Sequence, residues 1–134
     1  MISSTSTLRV RYIETDQMGV VHHANYLVWL EISRIKLMAD LGVKYTDIES
    51  LGYKLPVISA QIEYKRPAHF DEILTIRAFL HIRIQARVLI TYTVHRQDLL
   101  LASAQTTHVF INKEGRPVKP PSFFNSKLID KQDA

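Results

Sequence analysis

The chain has 134 residues, a net charge of +4 and no cysteine. This length suits one domain, and the lack of cysteine excludes disulfide bonds, thiolate catalysis and cysteine-ligated metal sites. No apolar run approaches the roughly 20 residues that span a bilayer, and residues 1–7 lack the apolar core of a signal peptide. We therefore expect a soluble, cytoplasmic protein without stable membrane insertion. The positive charge favours an anionic partner without identifying it.

The pattern of residues predicts one long helix followed by several strands. Residues 8–12 alternate apolar and charged side chains, as a half-buried strand does. After a loop, Asn25 is a suitable N-cap for a helix that ends near Leu41, before Gly42. A short helical turn at 45–51 then leads to strands at 55–66, 72–83, 85–96 and 100–112, the last two joined by a hairpin at Gln97 and Asp98.

This order of elements predicts an α+β fold, a single domain over residues 1–134 with the sheet on one side of the helix. The ends, about 1–7 and 125–134, are expected to be flexible.

The long helix carries an apolar arc wide enough to predict burial on most of its circumference, by a sheet that curls around it and a second subunit that closes the remaining side. The arc contains Tyr26, Leu27, Leu30, Leu37, Met38 and Leu41 and is extended by Val28 and Ile35, whereas Ser33, Lys36 and Asp40 form a narrow polar arc. Glu31 and Arg34 interrupt the apolar side. Since buried charges are costly unless paired, their i,i+3 spacing predicts an ion pair between them.

The loop before this helix contains the groups that acyl transfer requires. Asp16 precedes Gly19 by three residues, and the helix N-terminus that follows offers backbone N–H donors. A carboxylate beside such donors can attack a carbonyl, or activate water, while the donors stabilise the oxyanion. On spacing alone, a turn role in which Asp16 bonds its own loop backbone is an equal alternative.

Three segments carry a resemblance to a known family. Glu14-Thr-Asp-Gln-Met-Gly-Val-Val-His-His-Ala-Asn-Tyr-Leu-Val-Trp-Leu-Glu31, with Arg34, resembles the signature of the 4-hydroxybenzoyl-CoA thioesterase family. Tyr64-Lys-Arg-Pro-Ala-His-Phe-Asp71 resembles its second landmark, and Gly115-Arg-Pro-Val-Lys-Pro120 its closing turn. The resemblance covers nearly the whole chain and points to the bacterial branch linked to the Tol-Pal envelope system. It implies a hotdog fold, in which a five-stranded, mainly antiparallel sheet wraps a long central helix.

The resemblance also implies an activity, hydrolysis of an acyl-CoA thioester without a cofactor. It assigns Asp16 as the catalytic carboxylate, acting as base or nucleophile, and the backbone N–H at His23 as the donor that polarises the carbonyl. Gly19 would allow a positive φ or a close approach of the backbone. The His23 side chain either contacts the substrate, orients Asp16 or packs at the helix entry.

Further candidates follow from the same resemblance. His22 stands where the family more often has an aromatic residue such as tyrosine, and Tyr26 is a secondary candidate. Glu31 is another, because a related subgroup uses a helix glutamate as its catalytic carboxylate. Arg66 and Arg87 are the expected contacts for CoA phosphates, from a wider set with Lys65, Arg83, Arg96, Arg116 and Lys119.

Other partners are weighed against acyl-CoA. The six histidines have no ligand spacing, so no metal site is expected, and basic residues spread over strands do not suit nucleic acid. The resemblance implies a homo-oligomer, a dimer at minimum and a tetramer by expectation, with the site at the interface. Two alternatives stay open: an acyl-carrier-protein thioesterase, and a non-catalytic acyl-binding or interaction hotdog protein.

Overall fold

A computed structural model describes residues 2–81 and 87–133 of the chain, with side chains up to Ile129. Within these ranges the elements are β1 (Ile2–Arg9), α1 (Asn25–Leu41), α2 (Tyr45–Ser50), β2 (Val57–Tyr64), β3 (Ile73–His81), β4 (Arg87–Arg96), β5 (Leu99–Ile111), β6 (Pro117–Val118) and α3 (Ser122–Asp133). A short 3₁₀ turn covers Tyr12–Glu14. The predicted strand ends at residues 83 and 85, and with them Arg83, lie outside the described residues.

One antiparallel sheet contains all the strands, in the order β1-β3-β4-β5-β2, with the two-residue β6 added beside β5. Buried and less buried residues alternate along β3 and β4, which have one face in the core. The helix α1 packs against β1 and β3. The five long strands and the central helix therefore match the predicted architecture, and β6 is an addition to it.

The face that α1 buries differs from the predicted arc. Trp29 and Ser33 are buried against the sheet, whereas Leu27, Val28 and Ile35 are about half exposed. In the single chain the sheet covers one side of the helix, and closure of the remaining side by a second subunit stays a prediction. The helix also begins one residue earlier than expected, with Ala24 at the N-cap position.

The first strand also differs from its prediction. Residues 2–9 pair with β3 from Ile2↔Leu80 to Arg9↔Ile73, so the strand predicted at 8–12 lies further towards the N-terminus. Residues 2–7, which were expected to belong to a flexible end, lie in this strand, and their backbone hydrogen bonds complete an edge of the sheet. Ser4 and Ser6 are buried there despite their polarity.

A helix, α3, occupies the region where a fraying tail was predicted. Phe124 and Leu128 are buried, and the Phe124 ring centroid lies 5.1 Å from that of Phe110 in β5. The segment expected to be a flexible end, 125–134, therefore lies within this helix as far as Asp133. Burial of two large apolar side chains explains why the helix packs on the domain.

Arg34 makes contacts other than the predicted ion pair. It is buried, and its Nε and Nη1 donate to the hydroxyls of Tyr45 (3.2 Å) and Tyr92 (3.3 Å). The Tyr92 hydroxyl continues the chain to Thr106 (2.6 Å), whose hydroxyl contacts Nε2 of the buried His108 (2.7 Å).

Glu31 is exposed and makes no ion pair with Arg34 in the described part of the chain. The predicted ion pair is wrong because the Arg34 side chain points towards the sheet, where it donates to Tyr92 in β4.

Candidate active site

The loop between β1 and α1 is closed by a pairing of Thr15 with Val21. Its two hydrogen bonds run from Asp16 N to Val20 O (2.8 Å) and from His22 N to Glu14 O (2.9 Å).

A second pairing ties the loop to the turn before β3. Val20 pairs with His69, through hydrogen bonds from Val21 N to Ala68 O (2.9 Å) and from Phe70 N to Gly19 O (3.0 Å). The loop is therefore held by backbone contacts to a segment about 50 residues away in sequence.

The two carboxylate oxygens of Asp16 differ in their hydrogen bonds. Oδ1 accepts hydrogen bonds from Met18 N (2.8 Å) and Val20 N (3.1 Å), which is the turn role. Oδ2 has no hydrogen-bond partner among residues 2–81 and 87–133, and the side chain is exposed. Gly19 has the predicted positive φ, 76°, and its N–H donates to Asp16 O at 3.1 Å. The loop thus immobilises one oxygen of Asp16 and leaves the other available.

The N–H group of His23 differs from those of its neighbours. All the remaining backbone N–H groups from Met18 to Asn25 have an acceptor. Those of residues 18 and 20 donate to the Asp16 side chain, that of 19 to Asp16 O, that of 21 to Ala68 O and that of 22 to Glu14 O. The N–H of residue 24 donates to the His22 ring and that of residue 25 to His22 O. The His23 N–H has no acceptor within the described residues. It lies where α1 begins, so the helix dipole adds to its attraction for a negative oxygen.

Glu14 holds this loop through hydrogen bonds to its side chain and its backbone carbonyl. Its buried carboxylate accepts hydrogen bonds from Arg11 N (2.7 Å), Trp29 Nε1 (2.7 Å) and Arg11 Nη2 (3.3 Å), and its carbonyl also accepts from Asn25 Nδ2 (2.9 Å). Burial by itself would raise the pKa of Glu14, but these hydrogen bonds outweigh it and hold the pKa below its usual range. Our sequence analysis did not single out Glu14 as a support of the loop. The sequence carries no capping-box signal here, because Arg11 has a donor-only side chain and not the Ser or Thr that such a box requires.

Aromatic rings line the helix entry. The His23 ring stacks on His22 at 4.4 Å between centroids and meets Tyr64 edge-on at 6.3 Å. Tyr64 in turn contacts Tyr26 (5.0 Å), which contacts Trp29 (4.8 Å). The Tyr64 hydroxyl donates to the carbonyl oxygen of His23 at 3.0 Å. Tyr64 is the second residue that sequence analysis did not select, since the contact spans 41 residues.

The histidine side chains and Tyr26 therefore have defined positions. The His22 ring accepts from Ala24 N at 3.2 Å and is otherwise exposed. The His23 ring makes no hydrogen bond to Asp16 in the part of the chain described. Tyr26 is buried, and burial, Tyr64 and Glu72 together raise its pKa. Tyr26 consequently forms part of the wall behind the helix entry.

The remaining candidates lie further from the loop. Glu31 is exposed on α1, two turns beyond His23. Arg66 is exposed just after β2, where its N–H donates to Leu101 O, at the same end of the sheet as the loop. Arg87 begins β4 opposite Val109, at the other end. Within the described ranges, no cluster of His, Asp and Glu could hold a metal ion, and no helix is long and apolar enough to cross a membrane.

Comparison with known proteins identifies the family of this chain. A family model described as "Thioesterase-like superfamily" matches residues 10–128. The chain belongs to the thioesterase-like superfamily. The match extends from the end of β1 into α3, so this thioesterase-like chain is related to the family over nearly its whole length.

Individual relatives agree with this assignment. A Bacillus subtilis protein named "Putative acyl-CoA thioesterase YneP" is 36% identical over 118 residues, covering 87% of this chain and 86% of the relative. The crystal structure of Thermus thermophilus protein TT1821 is 34% identical, with a TM-score of 0.89 over 95% of this chain and 98% of that one. The DHNA-CoA thioesterase of Staphylococcus aureus is 25% identical, with a TM-score of 0.91 over 99% and 93%.

These comparisons confirm three of the predictions from sequence. They confirm the resemblance to the 4-hydroxybenzoyl-CoA thioesterase family, the α+β hotdog fold and the enzyme class, a thioester hydrolase.

Proposed function

We propose that this chain hydrolyses the thioester of an acyl-CoA, releasing a carboxylic acid and CoA. The names of the Bacillus subtilis and Staphylococcus aureus relatives support a CoA thioester as substrate. The observation that carries the proposal is that one loop offers a carboxylate oxygen, Asp16 Oδ2, and an amide, His23 N–H, neither of which has a hydrogen-bond partner among the described residues. These are the two groups that attack on a thioester needs.

The His23 amide is the electrophilic donor in this proposal. The thioester carbonyl oxygen accepts its hydrogen bond, which strengthens as negative charge develops on that oxygen in the tetrahedral intermediate. One such donor typically contributes about 100- to 1,000-fold in rate. Because all neighbouring amides already have acceptors, the oxyanion has one defined binding direction at the loop.

Asp16 acts through Oδ2 by one of two routes. As a base, it accepts a proton from water while the water oxygen attacks the carbonyl carbon; collapse breaks the C–S bond, and the proton passes to the CoA thiolate. As a nucleophile, Oδ2 bonds to the carbonyl carbon and expels the thiolate, and water then hydrolyses the acyl anhydride. In both routes the hydrogen bonds to Oδ1 hold the carboxylate in place.

We propose that a second copy of the chain completes the site. Asp16 is exposed in the single chain, and β2 is an edge strand that pairs with β5 on one side only; Ile62 is half-buried and its other residues are exposed. The outer face of α1 exposes apolar side chains: Leu27, Val28, Ile32 and Ile35. Pairing of two β2 edges would cover both features. We expect a dimer at minimum and a tetramer as the larger assembly.

Phosphate recognition follows from the same arrangement. Arg66 lies at the loop end of the sheet and is proposed to contact CoA phosphates, since a guanidinium binds phosphate through paired hydrogen bonds. Arg87 lies at the opposite end, so its proposed contact would be with CoA bound by another subunit.

The test is thiol release from a panel of short-chain, long-chain and aromatic acyl-CoAs. Asp16→Asn is the informative variant because the Asn carbonyl oxygen can still accept from Met18 N and Val20 N, so the loop keeps its turn. Asp47→Asn is the matched control, an exposed aspartate on α2. We expect kcat to fall at least about 100-fold in Asp16→Asn and to stay unchanged in the control.

Three results would contradict parts of this proposal. Full activity of Asp16→Asn would exclude its carboxylate and direct attention to Glu31, tested as Glu31→Gln. Release of thiol from an acyl-carrier-protein thioester but from no CoA ester would identify the alternative substrate. Folded wild type that releases thiol from neither would indicate a non-catalytic protein.

A further inference from the structure

The proposed oxyanion donor is held from two sides by groups that do not touch the thioester. On one side, the preceding N–H, that of His22, is bonded to Glu14 O at 2.9 Å. On the other side, the carbonyl oxygen of His23 accepts from the hydroxyl of Tyr64 at 3.0 Å. The residue that carries the free N–H is therefore fixed through its neighbouring peptide groups.

The Tyr64 contact comes from a distant part of the chain. Tyr64 is the last residue of β2, and its ring is supported by an edge contact with Tyr26, which is buried. A tyrosine hydroxyl is protonated at neutral pH and can donate, and burial raises the pKa of Tyr64 further. The acceptor belongs to the peptide after His23, so this hydrogen bond orients the residue and does not polarise its N–H.

An oxyanion donor is sensitive to small displacements. It acts only when its nitrogen lies about 2.7–3.1 Å from the oxygen in the transition state. At the His23 turn the backbone has not yet entered the regular hydrogen bonding of α1, which begins at Asn25. The carbonyl oxygen of His23 accepts one local turn bond, from Tyr26 N at 3.2 Å, and the Tyr64 hydroxyl is the second donor, which comes from outside the turn.

We infer that Tyr64 is a positioning residue for hydrolysis: its hydroxyl holds His23 so that the N–H faces the thioester carbonyl. This inference rests on the proposed function. It predicts an effect on the transition state and none on binding of the acyl and CoA groups, because Tyr64 acts through His23 and not on the substrate.

The experiment compares Tyr64→Phe with wild type on the best acyl-CoA of the panel. The variant removes one oxygen and keeps the ring packing. We expect kcat to fall about 10-fold, since one hydrogen bond and the orientation it imposes are lost. The KM is expected to stay within about twofold, as is the Kd of the CoA thioether in which a CH2 replaces the thioester carbonyl.

Tyr53→Phe is the matched control. Tyr53 is partly buried, its ring lies 6.3 Å from Phe123, and its hydroxyl makes no hydrogen bond within the described residues. Its kcat should equal that of wild type. Thermal unfolding of both variants should lie within about 5 °C of wild type, because each loses at most one hydrogen bond.

Three outcomes separate the possibilities. Tyr64→Phe with wild-type kcat, while the wild type is active, overturns the positioning role and leaves the proposed function intact. A raised KM and weaker thioether binding with unchanged kcat overturn it as well, because Tyr64 would then bind the substrate. Absence of turnover by folded wild type on every thioester would refute the proposed function itself.

Discussion

The indole Nε1–H of Trp29 donates a 2.7 Å hydrogen bond to the buried carboxylate of Glu14. This hydrogen bond links the first turns of α1 to Glu14, whose backbone carbonyl oxygen accepts from His22 N and Asn25 Nδ2. The candidate site is therefore anchored to the core through one charged side chain. Loss of a partner leaves a buried anion undersolvated, which is more costly than loss of a surface contact.

Trp29→Phe should destabilise the fold by about 1–3 kcal/mol, because a hydrogen bond to a charged, buried acceptor is lost. Urea unfolding measures this change. Glu14→Gln should also destabilise, since an amide presents only one acceptor to the two N–H groups of Arg11 N and Trp29 Nε1. In a double-mutant cycle the two changes should be less than additive, because they remove the same contact. Strict additivity would mean that the hydrogen bond contributes nothing to stability.

Gly19→Ala should lower kcat while reducing the free energy of unfolding only slightly. Its φ of 76° is unfavourable for alanine, and an added Cβ would meet nothing within 4 Å, so the expected cost is backbone strain of about 1 kcal/mol. Gly115→Ala is the matched control, with φ 78° and equally open surroundings. Both should lose similar stability by thermal unfolding, but only Gly19→Ala should lower kcat, because the loop holding Asp16 must adjust. Equal kcat values in the two variants would argue against a functional role for the loop geometry.

Acidification should destabilise the protein through His108. Burial, and secondly the charge of Arg34, lower the pKa of His108 from 6.5 to about 4. Between these values the unfolded chain binds a proton that the folded chain does not, so stability is complete above pH 6.5 and falls as pH drops towards 4. The loss by pH 4.5 should be about 2–3 kcal/mol.

Urea unfolding from pH 7 to pH 4.5 tests this dependence, with His108→Gln as the comparison. The variant cannot titrate at this position, so its stability should fall less over the same interval. Glu14 does not confound the test. Its pKa is lowered from 4.5 in the folded chain, so the stability that its carboxylate contributes is lost only as the pH falls below about 4.5. Parallel pH profiles for wild type and variant would contradict the shifted pKa.

The active protein should be a dimer or tetramer. β2 is an exposed edge strand, and unpaired edges with exposed apolar neighbours promote association. Light scattering during size-exclusion chromatography should give a mass of two or four chains, each of 15.5 kDa. A mass of one chain, at a concentration where thiol release is measured, would contradict the shared site.

Local patterns predicted most of the secondary structure. Stretches rich in Ile, Val, Thr and Tyr, most of them separated by short breaks, predicted β2 to β5, and Gly42 ends α1 in the left-handed conformation as expected. The pattern failed at β1, whose serines and threonines carry no apolar alternation; pairing with β3 forms that strand. It failed again on α1, where helical periodicity cannot tell which part of an apolar circumference the sheet covers.

The sequence by itself determined the fold class, the family and the loop that contains Asp16, Gly19 and His23. These depend on residue types and spacings within short segments, where periodicity and turn preferences act. Only the tertiary structure decided which amide of the loop lacks an acceptor and that Tyr64 holds His23 across 41 residues. The physical reason is that a hydrogen bond depends on which atoms meet, and in this loop the partners come from β2 and the turn before β3.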